Sequence, residues 1–143
     1  MKIILKKSII SFTPVPSPGQ LVTIDLEWDA NYTPGYAIKS TNKIETTSLS
    51  NAGVSIAYPC EGFDKIIVTN AAKQSAFCQL SFFDDTSSIN GHDGVTVAGN
   101  TGVEDIEVDI PDGARYVRFT ANINTAGILQ EGRIVQMRGT VVS

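Results

Sequence analysis

Val103-Glu104-Asp105-Ile106-Glu107-Val108-Asp109-Ile110-Pro111-Asp112-Gly113-Ala114-Arg115-Tyr116-Val117-Arg118-Phe119-Thr120-Ala121-Asn122-Ile123-Asn124 is the stretch whose reading decides the fold. Val103, Ile106, Val108 and Ile110 are interleaved with Glu104, Asp105, Glu107 and Asp109; after Pro-Asp-Gly, Tyr116, Val117, Phe119, Ala121 and Ile123 are interleaved with Arg115, Arg118, Thr120 and Asn122. Apolar residues at every second position bury one face of a strand and wet the other, so the stretch reads strand, turn, strand. A sheet with one apolar face must be covered on that face, which makes the chain β-rich and layered.

Working outward, Gln20 to Asp29 repeats the alternation, with Val22, Ile24, Leu26 and Trp28 facing one way and Thr23, Asp25 and Glu27 the other. That phase puts Trp28 in the core. Shorter strands are expected at 36–39, 43–46 and 54–58, joined by Asn-, Ser-, Thr- and Gly-rich loops. Residues 63–69 and 76–83 carry the heaviest apolar load and read as a pair of central strands. From Asp84 to Thr101 the chain turns polar and glycine-rich, with a short strand at 95–98, and a last strand is expected over 133–142. About ten strand candidates and no helix indicate an all-β fold, an antiparallel β-sandwich of jelly-roll type.

The N-terminus has its own character. Residues 2–12 read as a strand carrying Ile3, Ile4, Leu5, Ile9, Ile10 and Phe12, and Thr13-Pro14-Val15-Pro16-Ser17-Pro18-Gly19 follows as an extended spacer. The division expected is an arm and spacer over 1–19 and a sandwich over 20–143, the arm packing on its own domain or adding to a neighbour's sheet. Lys6 and Lys7 interrupt the apolar run, so the segment lacks the roughly 7 to 15 apolar residues of a secretion signal. No apolar stretch approaches the roughly 18 residues of a membrane span.

At 143 residues the chain suffices for one domain burying roughly 68–70% of its unfolded surface. The formal charge of -4 and a pI near 4.8 argue against a nucleic-acid partner, which needs a clustered basic face. Cys60 and Cys78 lack Cys-x-x-Cys spacing; they are two buried free thiols of a reducing cytoplasm, or a disulfide if their Cα atoms lie within about 7 Å.

Candidate chemistry is sparse. His92 has no second histidine to share a metal, and no nucleophile elbow supports its pairing with Ser81 or Cys78. Asp84, Asp85, Asn90 and Asp93 could offer oxygens to Ca²⁺, but the spacing fits no EF-hand. Glu107 and Asp109 share a strand face, as a glycosidase pair about 5 to 9.5 Å apart would require; with Glu104 and Asp105 they read instead as the wet side of a hairpin, cross-strand from Arg115 and Arg118. Trp28, Tyr32, Tyr36 and Tyr58 are the candidates for a sugar-stacking platform, but Trp28, in phase with Val22, Ile24 and Leu26, belongs more readily to the core. Tyr32 and Tyr36, in Asn31-Tyr32-Thr33-Pro34-Gly35-Tyr36, are the better candidates for stacking against a sugar or filling an interface. No reading requires a cofactor or a metal, and catalytic residues are not expected.

A wider pattern runs over residues 35–124, roughly two thirds of the chain. It consists of Gly35-Tyr36-Ala37-Ile38, Asn42-Lys43-Ile44, Ile56-Ala57-Tyr58-Pro59 and Phe63-Asp64-Lys65-Ile66-Ile67-Val68. Then come Cys78-Gln79-Leu80-Ser81-Phe82-Phe83-Asp84-Asp85 and Val108-Asp109-Ile110-Pro111-Asp112-Gly113-Ala114-Arg115-Tyr116-Val117-Arg118-Phe119. This resembles the β-sandwich module of tailed-bacteriophage tail, baseplate, fibre and capsid-decoration proteins, and is similar to carbohydrate-binding jelly rolls. The resemblance implies a non-enzymatic virion structural protein, made in the bacterial host cytoplasm and located in the virion. Its partners would be other virion proteins and copies of itself, docked through the arm, without nucleic acid or membrane insertion. The alternative it implies is a carbohydrate-binding module that recognises a host surface glycan.

Overall fold

The computed structural model describes residues 15–69, 77–96, 105–122 and 134–141, without the side chains of Phe77, Cys78 and Asn122. The expected strand at residues 2–12, with Ile3, Ile4, Leu5, Ile9, Ile10 and Phe12, lies outside the described residues. The strands are β1 (Leu21–Thr23), β2 (Tyr36–Ile38), β3 (Ile44–Thr46), β4 (Ala52–Val54), β5 (Tyr58–Pro59), β6 (Phe63–Thr69), β7 (Phe77–Phe83), β8 (His92–Thr96), β9 (Ile106–Asp109), β10 (Tyr116–Asn122) and β11 (Ile134–Gly139). A 3-10 turn at Ala30–Tyr32 is the one helical element among the described residues. Among the described residues no helix is long and apolar enough to cross a membrane.

Two antiparallel sheets face each other, one ordered β1-β11-β6-β9 and the other β4-β10-β7-β8 with β5 also on β10. Of the connections between successive strands of these two sheets, β4 to β5 and β7 to β8 stay within a sheet, and the rest cross the sandwich. This is jelly-roll topology. Phe82, Leu80, Val117 and Phe119 of the second sheet pack between the layers on Ile66, Val68, Val108, Val135 and Met137 of the first. The Val22, Ile24, Leu26, Trp28 face points into this core.

Local alternation does not say to which sheet a strand belongs, and two expectations are corrected on that point. β9 pairs with β6, and β10 pairs with β7, β4 and β5, so residues 106–122 form an arch between sheets and not a hairpin. The turn itself forms: Ala114 donates to the Pro111 carbonyl at 3.1 Å, with Gly113 at φ 83, a value a Cβ would disfavour. Likewise β6 and β7 are not partners; each is central to its own sheet. Both sequence patterns demanded an apolar face, and the sandwich satisfies each from an opposite side.

The third layer was not foreseen. β2 and β3 form a separate hairpin that lies on the outer face of the second sheet, where Ile38 and Ile44 meet Val54 and Phe83, flanked by Tyr32, Tyr36 and Tyr116. Asn42, at φ 69, accepts from Ser81 Oγ at 2.9 Å, and Gln79 Nε2 donates to the Lys39 carbonyl at 3.1 Å, fastening the hairpin to β7. The polar side of β10 is therefore dry: Arg118 and Thr120 are each 2% exposed, not the solvated residues that alternation suggested.

A cluster of aromatics over a buried arginine

Arg118 is the centre of the site. A buried guanidinium is tolerated only when its charge is paired and its N–H groups are occupied. Its Nη1 donates to Asp29 Oδ2 and to the Ser55 carbonyl, and its Nη2 to the Thr86 carbonyl, all at 2.9 Å. The guanidinium carbon lies 5.4 Å from the Tyr32 ring centre and 5.8 Å from that of Phe83, within cation–π range. Nε has no hydrogen-bond partner.

Asp29 does two jobs. Its Oδ1 accepts from the Asn31 backbone at 2.9 Å and caps the 3-10 turn, while Oδ2 holds Arg118. The turn delivers Tyr32 onto the guanidinium, and Thr33 Oγ1 bonds both the N–H and the carbonyl of Val54 at 3.2 Å, fixing the chain that leads to Tyr36. Tyr32 and Tyr36 meet edge to face, centroids 5.6 Å apart and planes at 72°, a preferred aromatic geometry. Both rings are half-buried, with Asn31 and Pro34 exposed beside them. On the other side of Arg118, the turn after β7 is closed by Asp85 Oδ1, which accepts from Ser87 N at 2.9 Å and Ser88 N at 2.6 Å and so keeps its carboxyl below the ordinary carboxylate range. One arginine thus ties two polar turns and an aromatic pair into a fixed arrangement.

The other candidates are placed apart from one another. His92 sits between two carboxylates, Nδ1 2.7 Å from Asp93 Oδ2 and Nε2 3.2 Å from Asp84 Oδ1. The bond to Asp93, then that to Asp84, raises its pKa above the ordinary value against the opposing effect of burial. Ser81 is bonded to Asn42 and Gln79, not to His92. Asp84 and Asp93 face His92, Asp85 closes its own turn and Asn90 bridges to Lys43; among the described residues no three His, Cys, Asp or Glu side chains converge as metal ligands. The expected cross-strand partners of Glu107 and Asp109 are elsewhere: Arg115 reaches Glu61 at 3.6 Å and Arg118 holds Asp29, while Asp109 pairs with Lys65. The correction follows from the arch, which puts β9 and β10 in different sheets. Glu104 lies outside the described residues.

Tyr58 is structural: its hydroxyl donates to the Asp25 carbonyl at 2.8 Å and accepts from Glu27 N at 2.7 Å, joining the sheets at one side, and burial pushes its pKa up to about 12. Trp28 packs against the core and bridges to Ser55. Cys60 is a buried free thiol, 3.6 Å from the Ala114 carbonyl, its pKa pushed up to about 12 by burial.

No family model and no curated protein matches the chain. A solved structure, the tandem CBM51 modules of a family 98 glycoside hydrolase from Streptococcus pneumoniae, is similar at 12% identity over 85% of this chain and 42% of that chain, with a TM-score of 0.29. The chain spans less than half the length of that protein chain, and a superposition this weak bears on neither fold nor function.

Proposed function

We propose that this chain is a non-enzymatic binding module that recognises carbohydrate at the Tyr32 and Tyr36 end of its third layer. The observation behind this reading is the aromatic pair held over buried Arg118, whose hydrogen bonds also fix the flanking polar turns. A sugar offers an apolar ring face ringed by hydroxyls, and binding sites commonly combine apolar and aromatic contact with a few placed polar groups. Asn31 and Ser87 supply exposed polar groups on the two turns, with Ser88 half-buried beside them. Fixing such groups before binding lowers the ordering cost of association. Of the two carboxylates considered for hydrolysis, Glu107 and Asp109, the second is held by Lys65, which supports a non-catalytic reading. Titration of a glycan hit against Tyr36→Ala should show at least tenfold weaker binding; unchanged affinity removes the tyrosine from the site.

A second reading, a structural component of a tailed-phage virion, is favoured by the sequence resemblance over 35–124 and by exposed apolar residues at the first sheet, Leu21 (50% exposed), Ile134 (38%) and Val141 (53%). In that role the chain is located in the virion, assembles with copies of itself and other virion proteins, and is made in the host cytoplasm. Light scattering that finds a discrete trimer or larger ring supports it; a monomer at every concentration counts against self-assembly.

A further inference from the structure

His92 meets an acceptor at each ring nitrogen. Nδ1 lies 2.7 Å from Asp93 Oδ2 and Nε2 lies 3.2 Å from Asp84 Oδ1, with the Phe82 ring alongside, centres 6.4 Å apart. Among the described residues Asp93 of β8 and Asp84, the residue after β7, are the charged groups acting on it. An ionised carboxylate only accepts, and a neutral imidazole has one N–H, so both contacts are hydrogen bonds only in the imidazolium. In the neutral ring the proton stays on the shorter contact, Nδ1 to Asp93. The Nε2 lone pair then faces an Asp84 oxygen, one acceptor against another.

The Asp84 contact matters for the loop between β7 and β8. Residues 89–91 are fastened to the covering hairpin without His92: Ile44 N donates to the Ile89 carbonyl at 2.9 Å and Gly91 N to the Asn42 carbonyl at 2.8 Å. Residues 84–87 are tied to the strands, among the described residues, by Arg118 Nη2 on the Thr86 carbonyl at 2.9 Å and by His92 on Asp84. The bonds of Asp85 to Ser87 and Ser88, and of Ser88 to Asn90, lie within the loop and hold its shape.

We propose that His92 is a proton-operated latch on residues 84–87. Protonated, it holds Asp84 and with it the Ser87 side of the tyrosine site; neutral, it releases Asp84 and leaves that side on the Arg118 bond. The bond to Asp93, against the opposing effect of burial, and then the bond to Asp84 raise the pKa of His92. The latch is therefore closed below the ordinary value of about 6.5 and opens as pH rises through the folded one. Its bearing on carbohydrate rests on the reading above, whereas the latch itself belongs to the free chain.

Backbone carbon-13 relaxation of the free full chain tests this at about pH 5.5, and again once the ring resonances of His92, the only histidine, show it neutral. Asp84→Ala and Asp84→Asn are the variants; the Asp84 side chain is 79% exposed, so both leave the fold in place. The expected order parameters at 85–87 fall from about 0.85 toward about 0.6 as His92 loses its proton, while 89–91 stay near 0.85. Asp84→Ala takes the lower value at both pH values. Asp84→Asn keeps the higher one throughout, because its amide donates to neutral Nε2 and its oxygen accepts from the imidazolium. Equal order at 85–87 in both states of the parent, loosening of 89–91 as well, an Asp84→Ala variant as ordered as the protonated parent, or an Asp84→Asn variant that loosens like the parent overturns the latch. None of these readouts needs a ligand, so they stand apart from the Tyr36→Ala titration that decides the carbohydrate reading.

Discussion

At the scale of single residues, Arg118 decides the most. Its sequence neighbours alternate as if it faced water, and the residue that neutralises it is 89 positions away, so nothing local marks it as buried. The available hint was Tyr32 and Tyr36, aromatic residues gathered in a turn beside an aspartate, and its meaning depends on the third layer. Because the guanidinium is 2% exposed, removing its partner leaves an uncompensated buried charge, which costs about 3–5 kcal/mol. Asp29→Ala should lose that much in urea denaturation, and Asp29→Ala with Arg118→Met should recover part of it; an Asp29→Ala variant within ~0.5 kcal/mol of the parent would show that the pair does not hold the layer. Cys60 offers a second test. With its thiol at about 12, thiolate is scarce at neutral pH, so peptide mapping after maleimide treatment should find Cys60 unlabelled in the native chain and labelled in urea.

At the scale of elements, strand type was legible and strand membership was not. The interleaving in Ile106–Asp109 and in Tyr116–Phe119 announced both strands and the Pro-Asp-Gly turn between them, yet a hairpin and an arch bury the same alternate residues. The turn after β7 was legible as a polar loop, but not its inner bonding, since Asp84 and Asp93 meet on opposite nitrogens of His92 only once β8 has paired. That triad gives the molecule a pH dependence. The folded pKa of His92 is raised, first by Asp93 and then by Asp84. Its stabilising contribution is therefore fully present below the ordinary value of about 6.5 and is lost as pH rises through the folded value. Thermal melts of His92→Gln should fall below those of the parent at pH 5.5 and coincide with them at pH 9. A deficit that is the same at both would assign His92 a packing role alone.

At the scale of the whole molecule, the β-class, the sandwich and the jelly-roll type could be read from the periodicity, because a two-sheet core imposes an apolar residue at every second position along each long strand. The covering hairpin could not. Ile38 and Ile44 announce only that short strands have a buried side, and Ser81, Arg118 and Thr120 look like solvent-facing residues until Asn42, Asp29 and the Gly53 carbonyl bond them from other segments. That hairpin makes one outer face of the sandwich an interior, and it brings the tyrosines to a site that the bare jelly roll would lack. The claim resting on it, carbohydrate recognition by a fixed aromatic pair, is tested most directly by a glycan array probed with the full chain displayed multivalently, beside a Tyr32→Ala/Tyr36→Ala variant verified as folded by its thermal melt. The account predicts a family of related glycans bound by the parent and lost in the variant; an array without hits for the parent, or hits that survive in the variant, would contradict it.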